Sequence, residues 1–104
     1  MVNIRLYRWA DWIAKDDALI RHEGVLSLSK FELIEAIEER GFSTPLAKLN
    51  IEGDLHELRD VLTRYLMCAS KVQAAMTAAQ VPEAAKPSVF AAFLIAYQTS
   101  RPKA

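Results

Sequence analysis

The chain has 104 residues, a length that suits one domain with one modest hydrophobic core. It carries 13 Lys and Arg against 13 Asp and Glu, so its net charge is zero and no global field attracts nucleic-acid phosphates. The single cysteine, Cys68, excludes an internal disulfide, and the longest uncharged apolar run, residues 89–97, is too short to cross a bilayer. With 52% hydrophobic residues, so small a domain must turn some apolar surface outward, which indicates a partner.

The first predicted element is a basic amphipathic helix over residues 1–14. Its apolar residues recur at three- and four-residue steps, and Asn3 is placed to cap it. The first ten residues contain Arg5 and Arg8 and no acid, a pattern that resembles a mitochondrial presequence. The acids that begin at Asp11 favour the other interpretation, in which the segment is an uncleaved part of the fold.

A short second helix is predicted between Asp16, as its N-cap, and Gly24. A glycine after a helix can adopt the left-handed conformation without steric cost. If Gly24 ends this helix, then Ile20 and Val25 occupy the two positions that touch in a Schellman ending. Both residues are apolar, as that ending requires.

The next helix has matched signals at both ends. Ser29 and Glu32 have capping-box spacing, so each side chain can bond an unsatisfied backbone N–H group at the helix start. Leu28 and Leu33 occupy the positions of a hydrophobic staple. Gly41 predicts the end of the helix.

Downstream, a cap and a proline predict a short helix over residues 44–49. A long helix with an apolar stripe follows, beginning near Ile51 or Asp54. Residues 71–85 either extend this helix or form a separate one, and in both cases Pro82 forbids continuation.

Pro87 begins the last helix, and residues 99–104 are interpreted as a tail. Together these patterns predict an all-α fold: a single domain over residues 1–104, with about five or six short helices in a compact array.

The side-chain inventory argues against catalysis. The three glycines are too far apart for a phosphate-binding loop, and the two histidines lie 34 positions apart. Cys68 is interpreted as a small core residue. The pair Asp16 and Asp17 lacks the rest of a calcium loop, so a capping role is favoured. We therefore predict no catalytic residue, no metal site and no cofactor.

Two further groups of residues are interpreted from their spacing. The group Glu35, Glu38, Glu39 and Arg40 is interpreted as a solvated helix face. Trp9 and Trp12 lie three positions apart, so both cannot point into one narrow core stripe of a short helix. Both can nevertheless pack against neighbouring helices, which is the simpler interpretation.

The other interpretation makes Trp12 an anchor for a partner. Arg8 has i, i+4 spacing to Trp12 and can stack on its ring, and Trp and Arg are enriched among binding hot spots. The predicted partner-binding residues are therefore Arg5, Arg8 and Trp12.

Residues 15–41 resemble the matrix-side domain of the LETM family, the leucine-zipper and EF-hand-containing proteins of the mitochondrial inner membrane. The family pattern has a D-D-x-x-I element, then E-G-V, then L-S or L-N, then E-L, and finally R-G. The matching residues here are Asp16, Asp17, Ile20, Glu23, Gly24, Val25, Leu28, Ser29, Glu32, Leu33, Arg40 and Gly41.

The resemblance implies a LETM-like helical domain of the ribosome-binding type on the matrix side of the inner membrane. It covers most of this sequence but only the C-terminal part of the family domain, and residues 71–85 look like an insertion. The family's membrane helix, coiled coils and calcium hand are not seen in this sequence, so its cation-exchange activity is not expected here. Several residues that carry the resemblance, such as Gly24 and Ser29, lie at predicted caps and turns. They therefore indicate a fold more directly than a binding site.

Two functions follow as expectations, both non-enzymatic. The first is an accessory subunit of a large mitochondrial inner-membrane assembly, such as a respiratory-chain complex, whose partners are other protein subunits. The second is a mitochondrial ribosome-associated factor of the LETM type. The neutral net charge favours the first, because binding to ribosomal RNA depends on neutralised phosphates.

Overall fold

The computed structural model describes residues 4–41 and 51–100, with side chains described at 4–41 and 55–99. These residues form no strand and four α-helices: α1 (Ile4–Glu23), α2 (Lys30–Glu39), α3 (Ile51–Ala78) and α4 (Lys86–Ser100). Short 3-10 turns, Val25–Ser27 and Glu83–Ala85, precede α2 and α4. The predicted all-α architecture is confirmed, whereas the described part of the chain holds four helices rather than five or six. The cap at Asn3 and the short helix at 44–49 lie outside the described residues.

The first helix is continuous, so the predicted break and cap at Asp16 are wrong. Ala10, Ile13, Asp17 and Ile20 are all buried in α1 and recur at three- and four-residue steps. One helical face therefore stays against the core through the predicted break. The carboxylates at this point find tertiary partners instead of capping a new helix.

The start of α2 follows the sequence prediction closely. The backbone N–H of Glu32 donates to Ser29 Oγ over 3.2 Å, and the backbone N–H of Ser29 donates to Glu32 Oε1 over 2.9 Å. The reciprocal bonds form the predicted capping box. Leu33 is buried and Leu28 packs against the core.

The two glycines end their helices differently. Gly41 has a φ of +79°, and its N–H donates to the Glu38 carbonyl over 2.9 Å, as predicted for the end of α2. Gly24 also has a positive φ of +90°, but its ψ of +139° is not the left-handed helical value. The Gly24 N–H still donates to the Ile20 carbonyl over 2.7 Å, and the chain then enters the 3-10 turn. The predicted Schellman conformation at Gly24 is therefore wrong.

The third helix runs from Ile51 to Ala78, which decides between the alternatives for residues 71–85: their first part extends α3. Its end is a Schellman motif built on Gln80, which has a φ of +56°. The N–H of Val81 donates to the Met76 carbonyl over 3.0 Å, and the N–H of Gln80 donates to the Thr77 carbonyl over 3.1 Å.

The core lies between two packed pairs of helices, with α1 against α4 and α2 against α3. Each helix contributes apolar side chains that are almost fully buried, and α3 contributes the largest share. Cys68 is half-buried on α3. No helix among residues 4–41 and 51–100 is both long and apolar enough to cross a membrane. The largest buried apolar side chains are Ile13, Leu33, Ile37, Leu58, Leu62, Phe90 and Leu94.

Candidate functional site

A buried ion-pair network lies where three helices meet. Arg40, which follows the last residue of α2, and Asp17 of α1 are both 0% exposed. The Arg40 Nε group donates to Asp17 Oδ1 over 3.1 Å, and Nη2 donates to the same oxygen over 2.7 Å. Nη2 also donates to Asp16 Oδ2 over 2.9 Å, and Nη1 donates to the Ala36 carbonyl over 2.8 Å. Every guanidinium nitrogen is therefore hydrogen-bonded.

Tyr65 of α3 completes the network. Its hydroxyl donates to Asp17 Oδ2 over 2.6 Å, and the Arg40 guanidinium lies 5.4 Å from the centre of its ring. Burial raises the pKa of Asp17, although the bonds from Tyr65 and Arg40 oppose that shift. Burial and the Asp17 carboxylate raise the pKa of Tyr65 well above its usual range, so the hydroxyl keeps the proton that it donates.

Two further bonds fasten the backbone at the end of α2. The indole Nε1 group of Trp9, on α1, donates to the Glu39 carbonyl over 2.8 Å. The amide Nε2 group of Gln98, on α4, donates to the Arg40 carbonyl over 2.8 Å. All four helices thus hold the segment around Arg40. Because Asp17, Arg40 and Tyr65 have no exposed area, a substrate cannot touch them in this structure.

The sequence patterns did not predict this network. The interpretation of Arg40 as part of a solvated face is wrong, since the side chain is fully buried. The capping role assigned to Asp16 and Asp17 is also wrong, because both accept hydrogen bonds from Arg40. The sequence contains one indication of this network. The LETM-like pattern in residues 15–41 begins with Asp16 and Asp17 and ends with Arg40 and Gly41, so the three charged residues of the network lie at its two ends. Their partnership explains those positions structurally, just as caps explain Gly41 and Ser29.

A groove between α1 and α2, which we call the acidic groove, borders this network at Asp16 and Ala36. Its volume is about 280 Å³. Its apolar lining comes from both helices and from the connection between them, and it includes Trp12, whose side chain is 48% exposed. The lining residues are Trp12, Asp16, Leu19, Ile20, Glu23, Leu28, Glu32, Glu35, Ala36 and Glu39.

The rim of the acidic groove is negatively charged. Five of its ten lining residues are Asp or Glu, and none is Lys, Arg or His. Asp16 is paired with Arg40, whereas no cation among the described residues forms an ion pair with Glu23, Glu35 or Glu39. Partial burial raises the pKa of Glu39, and repulsion from Glu35 and Asp16 raises it further.

The structure places the predicted partner-binding residues on one face of α1. Arg5, Arg8 and Trp12 are all exposed. At helical spacing they precede Leu19 and Glu23 along the same face, so the basic end of α1 leads into the acidic groove. Only Trp12 of the three lines the groove itself. The two tryptophans differ, because Trp9 is half-buried against the core and Trp12 faces solvent.

The next feature is the arrangement of potential metal ligands and histidines. Residues 4–41 and 55–99 contain no group of three or more His, Cys, Asp or Glu side chains close enough to hold a metal ion. His22 and His56 are both exposed and lie on different helices.

Comparisons of this chain with protein-family models, with curated proteins and with solved structures found no match. The resemblance of residues 15–41 to the LETM family therefore stays a prediction from the sequence.

Proposed function

We propose that this chain is a non-catalytic subunit of a larger protein assembly, and that the outward face of α4 is an interface with a neighbouring subunit. The observation that carries this proposal is the apolar character of α4 on every side. Residues 87–100 contain no charged side chain, although one face of the helix is turned to solvent. A helix that is apolar all round is normally buried.

The exposed face of α4 is continuous. Val89 and Ile95 are 39% and 45% exposed, and Ala92, Ala96 and Thr99 are exposed beside them. At 100° per residue these five positions fall on one side of the helix, opposite Phe90 and Leu94, which are buried in the core. An exposed apolar stripe is energetically unfavourable in a free chain. Its burial against a neighbouring subunit would favour binding.

A protein neighbour fits this face better than a membrane surface. Helices that lie on membranes combine an apolar face with a polar face rich in Lys and Arg. Here the one cation of α4 is its first residue, Lys86, which pairs with Glu83, and residues 87–100 carry none. Cores of protein interfaces are depleted in charged residues, which matches α4.

The mitochondrial setting rests on the resemblance of residues 15–41 to the LETM family. From it we propose an accessory subunit on the matrix side of the inner membrane, in an assembly such as a respiratory-chain complex. A mitochondrial ribosome-associated factor is the alternative that the same resemblance supports. The acidic groove disfavours RNA as its direct contact, because its carboxylates repel phosphates.

Native separation of mitochondrial membranes from cells that express the tagged chain tests this proposal. We expect the chain in a discrete large complex. We expect Ile95→Lys to release it, while the matched change Ala75→Lys, at an exposed position on α3, leaves it bound. Migration with ribosomal particles, lost at high salt, would favour the alternative. A monomeric chain in mitochondrial extracts would contradict both forms of the proposal.

A further inference from the structure

We infer that the acidic groove binds a basic amphipathic helix of a partner protein, with apolar side chains of that helix against Trp12 and Leu19 and its Lys or Arg side chains beside the carboxylates. This inference rests on the proposed function, since it names the chemistry of one partner. It uses a different surface from the exposed face of α4.

The acidic groove has an apolar floor. Trp12 and Leu19 are 48% and 53% exposed, and both line the groove together with Ile20, Leu28 and Ala36. An exposed tryptophan beside a concave apolar surface is the typical form of a binding hot spot.

The carboxylates of the acidic groove are regularly spaced along α2. Glu32, Glu35 and Glu39 stand at i, i+3 and i+7 on α2, so they form one stripe of about 10.5 Å along two helical turns. Cations at the same spacing on a second helix would meet this stripe along its length. Glu23 of α1 faces the same groove, so a ligand lying between the two helices has acids on both sides.

The balance of charge explains why the occupant is basic. Glu23, Glu35 and Glu39 have no ion-pair partner among the described residues, and Glu39 lies close enough to Glu35 and Asp16 to be repelled by both. A cationic helix relieves this repulsion. Among the described residues, no group of three or more acidic, histidine or cysteine side chains is placed to hold a metal ion there. Binding should therefore weaken as the pH falls and Glu39 takes up its proton.

The test measures binding of the full chain to a labelled synthetic helix by fluorescence anisotropy. The probe is a peptide of about 18 residues, roughly five helical turns, with Leu at i, i+3, i+4 and i+7 and Lys elsewhere. Its matched control carries Glu in place of every Lys. We expect binding of the Lys peptide, weaker at high salt, and no binding of the Glu peptide.

Two pairs of variants locate the site. Glu35→Gln/Glu39→Gln should weaken binding by about three- to tenfold, whereas Glu38→Gln/Glu57→Gln, with the same change of net charge on exposed residues outside the groove, should change it by less than about twofold. Trp12→Ala should weaken binding by about tenfold, and Met67→Ala, at an exposed position on α3, should not. Circular dichroism checks that each variant is folded. If Trp12→Ala is not folded, the comparison of the two double glutamine variants tests whether the peptide binds in the groove.

Three results would overturn the inference. The first is equal binding of the Lys and Glu peptides, or of neither. The second is equal weakening by the two double variants. The third is self-association of the free chain that the Lys peptide disrupts, which would put a second copy in the groove. None of these bears on whether Ile95→Lys releases the chain from its assembly, so the two proposals fail separately.

Discussion

Arg40 is the residue on which the packing of the four helices converges. The surface ion pair between Arg64 and Asp60 has side chains 75% and 52% exposed, whereas Arg40 and Asp17 have no exposed area. An exposed pair contributes little, because water competes for both charges. A buried pair is costly to form and more costly to break, since removing one partner leaves the other charge unsolvated. Arginine suits the site because its three nitrogens donate in fixed directions to Asp17, Asp16 and the Ala36 carbonyl.

Asp17→Ala should destabilise the chain by roughly 3–5 kcal/mol, because Arg40 and the Tyr65 hydroxyl lose their shared acceptor inside the core. Asp60→Ala, which breaks only the exposed pair with Arg64, should cost less than about 1 kcal/mol. Urea denaturation of both variants measures the difference. Equal losses would mean that the network does not hold the helices together.

Gly41 combines two constraints at one position. Its φ of +79° favours glycine, and a Cβ atom built there would collide with the side-chain amide of Gln98. Gly24 has a φ of +90°, but nothing lies within 4 Å of the Cβ that would be added there. A side chain at Gly24 would therefore meet backbone strain without steric collision, whereas one at Gly41 would meet both.

Gly41→Val should destabilise the chain by roughly 1–2 kcal/mol from left-handed strain alone, and by more because Gln98 must move and release the Arg40 carbonyl. Gly24→Val should show only the strain. Thermal unfolding of both variants, alone and with Gln98→Ala, tests this. If Gln98→Ala does not reduce the loss in Gly41→Val, the collision is not a source of the instability.

At the level of the elements, local signals predicted α2 well and the others less well. Both ends of α2 are set by residues within the helix or beside it, such as Ser29 and Gly41, and such signals can be read from a sequence. The continuity of α1 could not be read in this way. Asp16 looks like a cap, and only its partnership with Arg40, 24 positions away, shows why the helix continues. Tertiary contacts replace the local role of such residues.

The end of α3 carries local signals of its own. A Schellman ending usually has glycine in the left-handed position, but here Gln80 occupies it. Three residues still indicate the ending: Met76 and Val81 occupy the paired apolar positions, and Pro82 follows. Strain at one non-glycine residue is tolerated because the bonds to Met76 and Thr77 satisfy the last carbonyls of the helix.

Gln80→Gly should stabilise the chain by about 0.5–1 kcal/mol, because it relieves the strain of a left-handed side-chain-bearing residue at an exposed position. Gln73→Gly, in the interior of α3, should instead destabilise by about 1 kcal/mol. Urea denaturation gives both values. A loss of stability in Gln80→Gly would mean that the glutamine side chain makes a favourable contact that outweighs the strain.

For the whole molecule, the sequence predicted part of the candidate site and not its arrangement. The sequence offers Trp12 as an anchor beside the simpler interpretation that both tryptophans pack against neighbouring helices, and the structure leaves Trp12 exposed. The acidic residues of α2 were identified only as a solvated face. Their meeting with Trp12 depends on how α1 and α2 lie relative to each other, and the two helices are joined by Asp17 and Arg40, 23 positions apart. A linear pattern does not contain this information.

The acidic groove is built from α1 and α2, so it exists only while the whole chain is folded. A ligand of the groove must therefore stabilise the folded state by linkage. With the Lys peptide at 100 times its Kd, the free energy of unfolding should rise by about 2.7 kcal/mol, and Tm by on the order of 10–20 °C. Thermal unfolding with and without peptide measures this. The shift should shrink in Trp12→Ala, and an equal shift in that variant would place the peptide on another surface.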